Sequence, residues 1–169
     1  MATANAATTF LENRLLSFIF KNNAASFSSP GDGIYVGLAT AVSNFNDSTG
    51  ESGDPTITEA TFTNYARQQV AASGWTLTAE SADTQSCTNA SNIEFPASGG
   101  TNNTITHVFV TTAASASLDV VGSGGNVLFI GALDASKAIA SGDIFRINAG
   151  NLTIELKKRP LQPALAHLH

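Results

Sequence analysis

The stretch from 124 to 156 constrains this chain more than any other, because apolar runs and turn residues alternate through it too quickly for helices. Val127-Leu128-Phe129-Ile130 is wholly apolar, with Gly124-Gly125-Asn126 before it and Gly131 after it. Periodicity alone does not assign so short a run, but the flanking glycines argue for a buried strand. A polar link over 134–140 and a Ser141-Gly142-Asp143 turn lead to a strand over 144–147. Ala149-Gly150-Asn151 breaks it, and Leu152, Ile154 and Leu156 then alternate with Thr153 and Glu155, as in a half-buried strand.

The same vocabulary recurs upstream. Residues 34–40 read as a strand in which Gly37 leaves room for close packing. Residues 41–59 read as a polar loop, and 61–72 as a strand with Tyr65, Arg67 and Gln69 on one side. Arg67 is expected to be a solvated or locally paired surface arginine, with a loop carboxylate as partner. Residues 74–80 alternate so as to bury Trp75 and Leu77. Short pieces follow around Cys87-Thr88 and at 93–95, and after a loop over 97–103 comes an alternating strand at 104–112. Roughly eight strands with no interleaved helices predict a mainly β domain, an antiparallel β-sandwich or jelly-roll-like body.

The two ends differ from this body. Residues 1–8 give no structural instruction and read as an arm or a frayed end. Thr9 and Glu12 fit a capping box, and Leu11, Leu15, Phe18 and Ile19 fall on one face, predicting an amphipathic helix. That helix either covers one end of the body or meets another subunit. At the other end Lys157-Lys158-Arg159 closes the last strand, and Pro160 and Pro163 prevent both strand pairing and helix. The leucines beyond, Leu161, Leu165 and Leu168, belong to an extended arm that folds back or docks on another chain. The expected organisation is an arm and helix at 1–24, a β body at 25–156 and an extended arm at 157–169. The candidate partner-binding residues are Leu11, Leu15, Phe18, Ile19, Lys157, Lys158, Arg159, Leu161, Leu165 and Leu168.

Charge and chemistry narrow the function classes. Only 12% of residues are charged, about half the usual share, which suits a protein packed among neighbours. Residues 1–156 hold five basic against thirteen acidic groups, a balance of −8 that repels phosphate backbones, so no nucleic acid is expected. No apolar run approaches the length of a membrane helix, and no secretory leader is read at the N-terminus, so a soluble chain made in a cytosol is expected. Cys87 is the single cysteine, expected as a small buried or half-buried hydrophobe, and His107 is the single histidine of the body. Asp47, Glu51, Asp54 and Glu59 do not follow calcium-loop spacing, so no metal and no cofactor are expected. Without a nucleophile and base, a phosphate loop or a metal cluster, catalysis is not expected either.

Several segments, taken in order, carry a resemblance. They are FLENRLL (10–16), IYVGLAT (34–40), YARQ (65–68), NIEFPA (92–97), ITHV (105–108), NVLFIGAL (126–133) and SGDIFRINAGNLTI (141–154). Together they resemble small tailed-bacteriophage virion structural proteins of the capsid decoration (cement) or tail-fibre-like kind, over about residues 9–156. The resemblance implies a β-rich structural protein of the virion with no catalytic residues. Its first implied role is a cement protein, a homotrimer bridging major capsid protein subunits. The alternative is a tail or tail-fibre component contacting the host surface, where a glycan would be the partner.

Overall fold

The computed structural model describes residues 2–4, 6–7, 11, 15, 19–20, 33–43, 55–81, 84–115, 117–118 and 127–157. In chain order the strands are β1 (Ala2–Ala4), β2 (Ala6–Ala7), β3 (Tyr35–Ser43), β4 (Thr56–Glu59), β5 (Gln68–Gln69) and β6 (Trp75–Ser81). They continue with β7 (Thr84–Asn89), β8 (Ile93–Glu94), β9 (Asn103–Thr111), β10 (Val127–Ile139), β11 (Arg146–Ile147) and β12 (Leu152–Lys157). Ten of these strands join one sheet along the path β4-β3-β9-β10-β1-β12-β7-β6, with β2 pairing β10 and β5 pairing β3. The remaining two, β8 and β11, form a small antiparallel ribbon. Only β1 and β12 run parallel among the described strands. The mainly antiparallel β reading therefore stands, while the two-sheet jelly-roll arrangement does not emerge from the pairing.

The register of β3 on β9 explains where the core lies. Val36 is opposite Val110, Gly37 opposite Phe109, and Leu38 opposite Val108. Successive side chains leave opposite faces of a strand. Val36, Leu38 and Val108 thus join Phe62, Ile93, Phe95, Phe145 and Ile147 in the main core, which the β8/β11 ribbon caps. Phe109 instead joins Ala39, Val127 and Ile130 on the other face. Burial on both faces is why Val108-Phe109-Val110 and the 127–130 run are continuously apolar rather than alternating.

Gly37 makes the second face possible. A Cβ built on Gly37 would sit 2.1 Å from Phe109 Cζ, so the phenyl ring occupies the volume that any side chain there would need. Phe109 is fully buried as a result. Close packing at this glycine was expected, and the group that supplies it is the Phe109 ring of the neighbouring strand.

Several element expectations need correction. The link at 134–140 is strand: β10 runs through Gly131 to Ile139, and its far end pairs with Asn103, Thr104 and Ile105 of β9. Its polar residues misled because they are exposed, not because the backbone leaves the sheet. The 61–72 strand shrinks to β5, because Asn64 takes a positive φ of 73° and turns the chain. Part of the supposed 41–59 loop is strand, since β3 runs on to Ser43 and β4 pairs with it; residues 44–54 lie outside the described residues. Leu77 is 83% exposed, against the expected burial, because β6 ends the sheet, whereas its first residue, Trp75, packs on the Val110 and Ile154 cluster. The N-terminal arm is also in part sheet. Ala2 lies opposite both Leu133 of β10 and Leu152 of β12, so β1 joins the two halves of the sheet.

Filling the Gly37 position tests this packing. Gly37→Ala lowers stability by about 1–3 kcal/mol through overpacking, and that cost largely disappears in a Phe109→Ala background, where the space is open. Urea midpoints of the four proteins of the cycle measure the coupling. An equal Gly37→Ala cost in both backgrounds would contradict the account.

Candidate functional site

Among the described residues, the most sharply built surface feature is a cleft of about 550 Å³ between β10 and the turn joining β11 to β12. One wall is a bulge. Ala132 lies opposite His107 and Lys137 opposite Ile105, so residues 133–136 of β10 stand across from Thr106 alone. Extra residues in one strand bend it and re-aim its side chains, and Leu133, Asp134 and Lys137 line the cleft.

The other wall is a turn fixed from below by one buried amide. Gly150 takes a φ of 76°, which glycine supplies without strain. Its N–H donates to Asn89 O at 2.7 Å, and Asn151 N donates to Asn148 O at 3.0 Å. The Asn89 side chain, fully buried, donates through Nδ2 to Asn148 O at 3.0 Å and to Ser91 O at 2.8 Å, and accepts from Leu152 N at 2.9 Å. Asn92 Oδ1 accepts from Ala149 N at 2.9 Å. The turn is thereby held by hydrogen bonds instead of by packing, and it leaves the Asn148 and Asn151 side chains on the cleft wall. Arg146 also borders the cleft, with Nε donating to Glu94 Oε2 at 2.7 Å across the ribbon.

The residues proposed as partner contacts are found in different states. Leu11, Leu15, Ile19 and Phe20 are helical, and Phe18 lies outside the described residues together with the capping pair Thr9 and Glu12. Leu11 is half-buried, but Leu15 is 42%, Ile19 57% and Phe20 78% exposed, so this apolar stripe is largely uncovered. Lys157 ends β12 opposite Thr84. Lys158, Arg159, Leu161, Leu165 and Leu168 lie outside the described residues. Asn89, Asn148 and Asn151 were not among the candidates. The Asn-Ala-Gly-Asn turn is legible as a strand break, but no sequence signal marks Asn89 as the amide that secures it.

Titratable groups elsewhere are structural. Cys87 is half-buried, and burial raises its thiol pKa. His107 is half-buried, bonded through Nδ1 to Thr106 Oγ1 at 2.7 Å, and burial lowers its pKa. Glu59 serves Arg67: Arg67 Nε and Nη2 each donate to its carboxylate at 2.8 Å, while Nη1 donates to Ala113 O at 2.7 Å. The arginine side chain is only 4% exposed, so the local pairing expected of Arg67 is present but the solvation is not. Its Cζ sits 5.6 Å from the Phe109 ring centroid, a cation–π contact. Tyr65 Oη accepts from Leu38 N at 2.9 Å and donates to Glu59 Oε1 at 2.8 Å. Every polar group of this cluster is engaged in holding the fold, which makes it a strut and not a reactive centre.

Burial, with a smaller contribution from the Glu59 charge, drives the Tyr65 pKa far above its usual value despite the Leu38 N–H, which lowers it. An exposed tyrosine ionises near pH 10, about where the unfolded chain would lose this proton. The stability carried by Tyr65 is therefore complete below about pH 10 and falls at higher pH by about 1.4 kcal/mol per unit. Tyr65→Phe costs about 1–3 kcal/mol at neutral pH, because the Leu38 N–H loses its acceptor, and the deficit narrows in alkali. Denaturant titrations of both proteins across this range measure it, and parallel curves would contradict it.

A search among curated proteins finds no match. A family model described as Podophage GP4 fiber I protein gp80 matches residues 6–155, a span that takes in the core, the Glu59 and Arg67 strut, and both walls of the cleft. This family is one of virion fibre proteins, structural and not enzymatic, so the fibre alternative displaces the capsid-decoration reading. The shared order of short motifs pointed to virion proteins in general, but β-rich scaffold segments do not say where in the virion a scaffold sits. With most of its length matched, the chain belongs to the Podophage GP4 fiber I protein gp80 family, a phage fibre component built into the virion.

Proposed function

We propose that this fibre protein assembles with copies of itself through its N-terminal helical stripe and holds its β body toward the host cell surface. The observation that carries this reading is the exposure of Leu15, Ile19 and Phe20 on helical residues of a chain whose core is otherwise well buried. A stripe of large apolar side chains in water is unfavourable, by roughly 25 cal/mol for each Å² left uncovered. A fibre is made by repetition of subunits, so the simplest cover is the same stripe of a second or third copy. The basic residues Lys157, Lys158 and Arg159 reinforce assembly, because the rest of the chain is acidic and offers a neighbouring copy complementary charge. The leucine-bearing tail after Pro160 acts as a second strap between copies. With so few charges on the body, host contact rests on hydroxyl and amide chemistry more than on long-range attraction.

Sedimentation equilibrium tests the assembly directly. The full chain is expected to form a discrete oligomer, a trimer on this reading, and Leu15→Glu combined with Ile19→Glu shifts it to monomer with an unchanged β-type circular dichroism spectrum. Removal of residues 160–169 weakens association while the body stays folded. A monomeric wild-type chain, or undiminished association in the double variant, would overturn the reading. Host contact is tested separately by binding of labelled full-length chain to host cells.

A further inference from the structure

The cleft between the β10 bulge and the 148–151 turn has no part in the proposed assembly, yet it is built more carefully than a chance surface depression. A fully buried asparagine spends its amide on three backbone partners from the 89–92 and 148–152 segments, and Asn92 adds a further bond to the 148–151 turn. Buried polar groups of this kind are costly unless fully satisfied. Here the satisfied network fixes the backbone of a turn whose residues 148–150 are exposed and contribute nothing to the core. Across from it, the β10 bulge brings Leu133, Asp134 and Lys137 to the same space, and the half-exposed Ile144 adds an apolar surface.

The lining chooses the ligand class. Asp134 and Lys137 cancel formally, and Arg146 is neutralised by Glu94, so the cleft carries no excess charge for a phosphate, a carboxylate or a cation. The acidic balance of the whole chain disfavours anionic ligands further. What remains is a pair of amides, each with donors and an acceptor, beside two aliphatic side chains. Amides suit vicinal hydroxyls, and the aliphatic surface suits the C–H face of a sugar ring. We infer that this cleft is a binding subsite for a neutral saccharide, an inference that rests on the host-surface reading above and names its ligand. No exposed aromatic ring among the lining residues offers a stacking platform, so a single site binds weakly and the fibre gains avidity from its several copies.

The test uses the full-length assembled chain on an array carrying neutral hexose, deoxyhexose and N-acetylhexosamine glycans beside sialylated, uronic and phosphorylated ones. Binding to neutral glycans is expected, and Asn148→Ala with Asn151→Ala reduces it by at least about tenfold, the scale of one or two lost hydrogen bonds. The clasp to Asn89 uses the main chain of the turn, so thermal midpoints should not move. Ile144→Ala gives a second, smaller loss, and Leu77→Ser, outside the lining, gives none. Binding confined to acidic glycans, or neutral-glycan binding untouched by the cleft variants, overturns the cleft proposal. Host-cell binding separates the two readings. Variants that still bind cells as well as wild type sink the cleft alone, whereas a wild-type chain that binds neither cells nor glycans sinks the host-surface reading with it.

Discussion

The fold depends on one phenyl ring occupying the place of a missing side chain. Phe109 lies where a Gly37 side chain would be, and this close approach lets β3 and β9 pair with apolar cover on both faces. From the ring the chain of contacts passes to Arg67, to Glu59, to Tyr65, and back to the backbone N–H of Leu38, the residue after Gly37. The circuit is closed, and each member restricts the next. A buried bidentate pair adds little net stability by itself, since desolvation offsets its attraction. Its effect here is to fix one arrangement: it ties the end of β4, the 65–67 segment and the Ala113 carbonyl after β9 to a single geometry.

Outward from that centre, β10 carries the architecture. Its near end pairs with β9 and β2, its bulge meets β1, and its far end returns to β9. Because β1 also pairs with β12, the N-terminal residues join the central strands to the β12, β7 and β6 half. The bulge that makes this junction also forms one wall of the cleft. Architecture and candidate binding surface thus share a cause, and a shift in β10 register would disturb both.

The sequence made the strands with strong apolar patterns legible: β3, β9, β12 and the first part of β10 lie where alternation or continuous hydrophobicity put them. It did not reveal β1, because an interior strand held by backbone pairing needs no side-chain pattern, and Ala-Thr-Ala carries none. It hid the length of β10 because exposed strand residues resemble a loop. It misassigned Leu77, since alternation reports a difference between faces but not whether a second layer covers the apolar one. In the strut, Arg67 and an acidic partner were anticipated, yet their burial was not, because burial depends on Phe109 arriving from forty residues away. The cleft was illegible for a similar reason: its two walls come from separate parts of the chain, and the amide that sets one of them, Asn89, lies far from the turn in sequence.

These features suit a virion fibre component. Few charges, a sheet covered on both faces and exposed apolar residues at helical positions 15, 19 and 20 are the features on which the proposed assembly of copies rests. Whether this chain is a fibre component whose copies assemble together is tested most directly by electron microscopy of intact virions labelled with antibody against the β body. Label confined to the tail appendages, with several copies in each, is the predicted result, and label spread over the capsid shell in proportion to its subunits would contradict it.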